Sequence, residues 1–392
     1  MSFIKYCLFI LGPCAMLQPL GMDIFISELP RMMSQLNITE HEVQYILATF
    51  VFASGFPQLF IGYLSDKYGR RVVMLAATAS FAITSCLCAL STDLFLLSTM
   101  RFFQGVSAAA SLVVSYSVVR DLFDGVEASK KYSQLSCILA ITPMVAPLLG
   151  AFLIDSFGYW QATFYFLVMF ASTVFLLAQR FMPNTLSSCK LNSPHLDYKE
   201  SIKIIILNRQ FWTFCLCATT TMAGLFLYFS IGSILLMDKL HLSSYQYSGL
   251  FAINAISYLT SNFSSSILVK RVDMKTLVLA GNVLVIIGAS LMMALNITFG
   301  LNAVAIVATN LLITIGGGLI TGPSTSKALA PFPDNTGMAS GLFGTIQYGL
   351  PAFLGVIVTR FDIVSTANLA IPMLILAAIN MSLLLTNKTV VA

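Results

Sequence analysis

The chain has 392 residues, 57% of them hydrophobic and only 9% charged, with a formal net charge of +5. Soluble globular domains carry about 25% charged residues, so this composition excludes a water-soluble enzyme. It also excludes collagen-like, disordered and disulfide-scaffold chains. Apolar runs long enough to cross a bilayer recur from end to end, which specifies an all-α membrane protein. An outer-membrane barrel would show alternating segments of about ten residues.

Twelve apolar segments follow in chain order, near residues 6–26, 43–63, 72–91, 94–118, 132–154, 160–181, 211–232, 245–268, 274–295, 301–325, 337–359 and 365–386. Each can span a hydrocarbon core of about 30 Å at about 1.5 Å per residue. The first is too long for a secretory signal and keeps an internal charge, so it reads as a span. The longest polar interruption, 182–210, contains Pro183, Asn184, Asn192, Pro194 and His195. Its composition is that of a linker, not a packed domain. The expected organisation is a six-span bundle over 1–182, a linker over 183–210 and a second six-span bundle over 211–392.

Loop charges give the orientation. With the N-terminus inside, seventeen of the 21 basic residues lie on the cytoplasmic side, among them Lys67, Arg70, Arg71, Lys130, Lys131, Lys270 and Arg271. Only Arg31, Lys239 and Arg360 face out, and Arg101 falls within a span. Both termini and the linker are therefore expected in the cytoplasm, which excludes a seven-span receptor. A small net charge is no nucleic-acid signature. The pairs Cys86/Cys88 and Cys215/Cys217 would diverge on a helix and read as small buried or lipid-facing residues. His41, His195 and His241 lie outside the spans, so no histidine relay and no metal site is expected.

Ionisable groups inside a bilayer are costly and are functional candidates. Asp23 lies toward the outer end of span 1. Arg101, about seven residues into span 4, lies at a similar expected depth. They form either a structural ion pair or a site whose protonation is coupled to transport. Burial and a neighbouring guanidinium act on a carboxyl in opposite senses, so the sign of the shift stays open. No other carboxylate lies deep in a span.

Span 5 holds Pro143, Pro147 and Gly150; span 10 holds Gly316, Gly317, Gly318 and Pro323; span 11 holds Gly341, Gly344, Pro351 and Gly355. Proline bends helices and small residues let them approach closely. Spans 5 and 11 occupy corresponding places in the two halves, which suggests moving seams.

The strongest local pattern is Gly62-Tyr63-Leu64-Ser65-Asp66-Lys67-Tyr68-Gly69-Arg70-Arg71, between spans 2 and 3. Gly69 permits a tight turn, Asp66 can accept hydrogen bonds at a helix end, and the basic residues hold the loop inside. The string fits G-x-x-x-D-[KR]-x-G-R-[KR] and resembles the signature loop of the major facilitator superfamily. Residues 268–275 echo it without the glycines. Arg101-Phe102-Phe103-Gln104-Gly105 resembles the R-x-x-Q-G motif of span 4, and Pro143 to Gly150 resembles the span 5 motif of drug:proton antiporters. Val119-Arg120-Asp121-Leu122-Phe123, Gly158-Tyr159-Trp160, Ala328 to Pro333 and Gly337-Met338-Ala339-Ser340-Gly341 resemble the Bcr/CflA group of multidrug efflux transporters. The chain departs from that group after Asp23, at Ile24 to Pro30, and at Ile231-Gly232-Ser233.

The resemblance implies the major facilitator fold, twelve transmembrane helices in two pseudo-symmetric six-helix bundles. It implies a monomeric, proton-coupled antiporter of the bacterial inner membrane that exports small amphipathic molecules by alternating access. Asp23 would be the proton-linked carboxylate and Arg101 its partner. Gly62, Asp66, Gly69, Arg70 and Arg71 would form the cytoplasmic gate, with Pro143, Pro147 and Gly150 in a moving helix. Asp23, Tyr228, Asn254, Tyr258 and Gln347 would line the substrate cavity. No phosphate loop of the GxxxxGK[ST] kind is present, so the proton gradient and no cofactor is the expected energy source. An exporter of a native metabolite such as a siderophore would use the same machinery, and a proton-coupled importer is a less favoured alternative. An intramembrane enzyme is disfavoured, because no H-E-x-x-H or comparable constellation occurs.

Overall fold

Lipid leaves backbone groups no outside partner, so a spanning chain must satisfy them within helices. All fifteen regular segments of the computed structural model are helical; it describes residues 3–24, 32, 36, 40–183, 198–242, 244–358 and 365–386. The first helices are α1 (Phe3–Asp23), α2 (Glu40–Gly55), α3 (Gln58–Tyr68), α4 (Arg70–Ala89), α5 (Leu94–Leu122), α6 (Gly125–Phe157) and α7 (Gln161–Phe181). A short α8 (Tyr198–Ile206) follows, and α9 (Arg209–Ser233) continues into a π-helical turn over Ile234–Lys239. The last are α10 (Ser244–Leu268), α11 (Met274–Phe299), α12 (Ala303–Leu329), α13 (Thr336–Val358) and α14 (Ala367–Thr386).

Each of the twelve expected spans coincides with helix, with one difference. The second span is broken: α2 ends at Gly55, and α3 restarts after Pro57, whose φ is −82° and ψ is −1°. Proline cannot donate the hydrogen bond that would continue α2. Among the described residues, eight helices are long and apolar enough to cross a membrane on those criteria alone: α4, α5, α6, α7, α9, α11, α12 and α14. Helix starts follow local chemistry. Asp273 caps α11 by accepting from the backbone N–H of Lys275 at 2.9 Å, and Asn302 caps α12 by accepting from that of Val304 at 2.8 Å.

Two compact units form. One comprises residues 1–122, 141–202 and 332–345; the other comprises 123–140, 203–331 and 346–392. Relative to bundles of 1–182 and 211–392, the stretches 123–140 and 332–345 are exchanged. The helices α6 and α13 are thus each divided, at 140/141 and 345/346, a few residues before Pro143 and Pro351. Half of the expected linker, 184–197, lies outside the described residues, and so do Cys189 and residues 25–30.

In the first unit α5 is central, with α1, α2, α3 and α4 packed on it, while α7 packs on α4 and α1. A hydroxyl of α5 pins α1: Ser111 donates to the Cys14 carbonyl at 2.7 Å. In the second unit α12 is central, packed by α9, α10 and α11, while α14 packs on α11 and α9. Close approach is built from glycine. A Cβ on Gly281 would press on the Gly316 carbonyl at 2.6 Å, and one on Gly318 would meet Ser261 Cβ at 2.5 Å.

Candidate functional site

Residues 58, 62 and 66 recur at four-residue intervals on α3, so they share a face. Gly69 then breaks the helix. Its φ of 94° falls where side chains are strained, and it joins the end of α3 to the start of α4 in a single residue. The shared face meets the N-terminus of α13, within the first unit. Asp66 Oδ1 accepts from the Gly337 N–H and Oδ2 from the Met338 N–H, both at 2.8 Å. These are unsatisfied donors of a helix N-terminus, where the dipole also favours a carboxylate.

Glycine sets the depth of the contact. A Cβ on Gly62 would overlap the carbonyl of Gly337, and one on Gly341 would overlap the carbonyl of Gln58. A Cβ on Gly344 would fall on the Gln58 side-chain amide. At Gly62 and Gly341 the obstacle is backbone, so no larger residue fits there without separating α3 from α13.

Arg70 holds Asp66 from behind. Its Nη1 lies 2.7 Å from Asp66 Oδ1 and donates to Ser65 Oγ at 2.9 Å, while Nε donates to Asp121 Oδ2 at 2.9 Å. Arg70 is 1% exposed and Asp66 7%. A guanidinium between two carboxylates, with the outer carboxylate seated on backbone donors, satisfies a set of buried charges that would each be costly alone. Asp121 completes this array. Nothing local to the string Val119 to Phe123 shows that Asp121 faces Arg70. Arg71 points elsewhere, donating to the Gln179 carbonyl at 2.6 Å on the exposed side.

The second candidate centre lies where α5 crosses the end of α1. Arg101 is fully buried. Its Nη1 donates to the Gly21 carbonyl at 2.9 Å and to Gln104 Oε1 at 2.8 Å, and Gln104 Nε2 passes a bond on to Ser85 Oγ at 2.7 Å. The guanidinium stands 4.2 Å from the Phe50 ring centroid, a cation–π arrangement strengthened by desolvation. Gly105 completes the motif, since a Cβ there would sit 2.6 Å from the Phe50 carbonyl. Asp23 is the last residue of α1 and is partly buried. Arg101 reaches the turn of α1 that ends in Asp23 through the Gly21 carbonyl.

The cavity candidates of the second half are buried and polar. Asn254 Nδ2 donates to Tyr228 Oη at 3.1 Å, and Asn254 Oδ1 accepts from Asn310 at 2.9 Å. Tyr228 stacks on Phe251 with centroids 6.4 Å apart. Tyr258 and Thr321 hydroxyls are 3.3 Å apart. Gln347 is 1% exposed, and its Nε2 has no hydrogen-bond partner among the described residues. Asn310 carries no local signal that would have singled it out. Pro143, Pro147 and Gly150 lie inside a continuous α6 that runs Gly125–Phe157.

Comparison with known proteins fits this arrangement. The Major Facilitator Superfamily profile matches residues 11–356. The chain is 29% identical over 354 residues to the uncharacterized MFS-type transporter YdgK of Bacillus subtilis, covering 90% of this chain and 87% of that one. It is 28% identical over 333 residues to the multidrug resistance protein MdtL of Citrobacter koseri, covering 85% and 83%. Among solved structures, the human organic anion transporter MFSD10 superposes with a TM-score of 0.73 at 17% identity, covering 98% of this chain and 100% of that one. The proton:xylose symporter XylE superposes with a TM-score of 0.74 at 14% identity, covering 100% and 96%. The profile covers most of the chain and the fold is shared, so the chain belongs to the major facilitator superfamily: it is a multi-pass membrane transporter and not an enzyme.

Proposed function

We propose that the protein is a proton-coupled antiporter of the bacterial inner membrane. It exports small amphipathic molecules by alternating access, with both termini in the cytoplasm. The observation that carries this reading is the Asp66 carboxylate bridging the N–H groups of Gly337 and Met338 in the first turn of α13, backed by Arg70 and Asp121. In the proposed cycle the two six-helix bundles rock about a central cavity, and this contact forms only when the cytoplasmic side is shut. A contact made in one state alone biases the equilibrium, and a contact made in both shifts nothing. Export of drugs is favoured by the likeness to proteins named MdtL.

Asp23 carries the exchanged proton in this reading. Arg101, held in place by Gln104, Ser85 and Phe50, keeps the end of α1 in position through the Gly21 carbonyl. The proton gradient is the only energy source needed, with no cofactor, and a monomer suffices. The unpartnered amide donor of Gln347 and the Tyr228–Asn254–Asn310 network offer hydrogen bonds to a neutral or weakly polar substrate.

The test uses inside-out vesicles with an imposed pH gradient and a panel of amphipathic cations and neutral drugs. Wild-type protein accumulates substrate only with the gradient, and Asp23→Asn, present at normal level, loses accumulation while keeping equilibrium exchange. Full gradient-driven accumulation by Asp23→Asn removes Asp23 from the mechanism. Substrate entering only down its own gradient removes the antiport.

A further inference from the structure

The export reading leaves unused a group of charges at one end of α6 and α10, and all of them lie within the second unit. The two helices run side by side there. Cys137 Sγ donates to the Leu259 carbonyl at 3.6 Å, and further along Glu127 Oε1 stands 4.0 Å from Lys270 Nζ. The Lys270 amine also lies within hydrogen-bond reach of the Lys130 amine. Lys130 and Glu127 are one turn apart on α6, so the three groups converge. Lys131 stands over the Phe123 ring at 5.3 Å, and Arg271 follows Lys270 in the turn that closes α10.

Positive charge is in excess at this end. Residues 123–140 and 268–276 carry Lys130, Lys131, Lys270, Arg271 and Lys275 against Asp124, Glu127 and Asp273. Asp273 is engaged by the N–H groups of Lys275 and Thr276. The side chains of Lys270 and Glu127 remain half exposed. Two ammonium groups at such close range repel. An anion set between them converts that repulsion into two charge-assisted hydrogen bonds.

The surface leading to this end is apolar. On α10, Ile253, Ile256, Phe263 and Ile267 are each about half exposed. At about 100° per residue they fall within an arc of about 80°. Exposed aliphatic and aromatic groups on a membrane-spanning helix lie against acyl chains. Ile267 is three residues from Lys270, so the stripe runs directly into the cations. Lysines at the end of a spanning helix reach for the headgroup level.

We propose that the α6–α10 end is a binding site for an anionic phospholipid. Lys130 and Lys270 bracket the headgroup phosphate, Lys131 and Arg271 add to the positive field, and an acyl chain lies along Ile267 and Phe263. The continuity of cations with an acyl-facing stripe selects a lipid over a free phosphate, and the excess positive charge selects an acidic lipid over a zwitterionic one. This goes beyond the export reading and does not depend on the transported substrate.

The test is native mass spectrometry of the full-length protein titrated with dioleoyl phosphatidylglycerol, dioleoyl phosphatidylcholine or inorganic phosphate. Phosphatidylglycerol is expected to bind more tightly than phosphatidylcholine and to resist displacement by inorganic phosphate at equal concentration. Lys130→Gln/Lys270→Gln should weaken phosphatidylglycerol by about 25-fold, at about fivefold per lysine, and leave phosphatidylcholine unchanged. Lys130→Arg/Lys270→Arg should keep wild-type binding, which separates lost charge from misfolding. Ile267→Ser should weaken both lipids. Equal binding of the two lipids, a glutamine variant that binds like wild type, or a loss shared by the arginine variant overturns recognition of the headgroup by these lysines. Displacement by inorganic phosphate at equal concentration overturns the lipid assignment in favour of a free anion. Binding unchanged by Ile267→Ser overturns the acyl contact.

Discussion

The chain builds two comparable helix seams whose described charges are buried at one and half exposed at the other. In the first unit α13 lies on α3 through Gly337, Gly341 and Gly344 against Gln58 and Gly62, and Asp66 closes the end. In the second unit the start of α6 lies on α12 with the same four-residue rhythm: Gly125, Ser129, Ser133 and Cys137. Ser326 Oγ donates to the Gly125 carbonyl at 3.0 Å, a Cβ on Gly322 would overlap Ser133 Oγ, and Cys137 Sγ donates to the Leu259 carbonyl of α10 at 3.6 Å. At that end Lys270 and Glu127 stand 4.0 Å apart, both side chains about half exposed at 51% and 53%.

The difference lies in where each half puts its aspartate. Asp66 stands four residues before Arg70 and is spared from capping its own next helix, because Gly69 turns the chain alone. In the echo at 268–275 the glycines are gone, and Asp273 directly precedes Met274. Its carboxylate is consumed by the N–H groups of Lys275 and Thr276 in its own helix. The same residue type, placed next to the helix start in place of four residues before it, changes from a tie between helices to a local cap. Steric fit is thus shared by the two seams, and electrostatic retention belongs to the first.

The largest effect expected from this comparison is steric and should be symmetric. Gly62→Val forces α3 off α13, and Gly322→Val forces α12 off α6. Overpacking of this kind costs about 1–3 kcal/mol, concentrated in whichever state makes the contact. Both variants should lose nearly all transport while remaining in the membrane. Crosslinking of single cysteines across each seam checks whether the seam opens. Loss of transport with an intact crosslink would mean the glycines serve something other than close approach.

Asp66→Asn isolates the electrostatic part. It keeps the shape and removes a charge-assisted bond of about 1.5–3 kcal/mol, which moves a two-state population by roughly ten- to a hundredfold. In the proposed cycle turnover slows by that order while substrate affinity is kept, because the polar network at Tyr228 and Asn254 is elsewhere. Binding and transport measured on one purified preparation separate the two. Asp121→Asn should act in the same direction but less, since Arg70 retains Asp66 and Ser65.

Much of this was legible before any coordinates. Lipid forces span length and helicity, so twelve apolar runs mark twelve helical stretches. Pro57 was also visible, but the apolar run through it conceals the break between α2 and α3. The register of Gly62, Asp66, Gly69 and Arg70 is local, so it can be read from spacing. Their partner Gly337 lies 271 residues from Asp66, and no period connects positions so far apart. Depth in the span puts Asp23 and Arg101 at one level, but it carries no information on what else a long side chain meets there. Arg101 takes the Gly21 carbonyl, Gln104 and the Phe50 ring, all within reach of the same turn.

The smallest effect belongs to the charge at the second seam. Glu127→Gln removes the carboxylate facing Lys270 at 4.0 Å, but both groups are half exposed. Such pairs contribute about 0–1 kcal/mol and are screened by salt, and the separation is already at the limit of an ion pair. Turnover should therefore change by less than about fivefold, the ceiling that 1 kcal/mol allows. Whatever change occurs should vanish as ionic strength is raised, whereas the Asp66→Asn defect should persist, because Asp66 and Arg70 are buried from screening. A salt series on the two variants side by side reads this directly. A Glu127→Gln defect as large as that of Asp66→Asn and indifferent to salt would mean that both seams are held electrostatically, and the asymmetry drawn from Asp273 would fail.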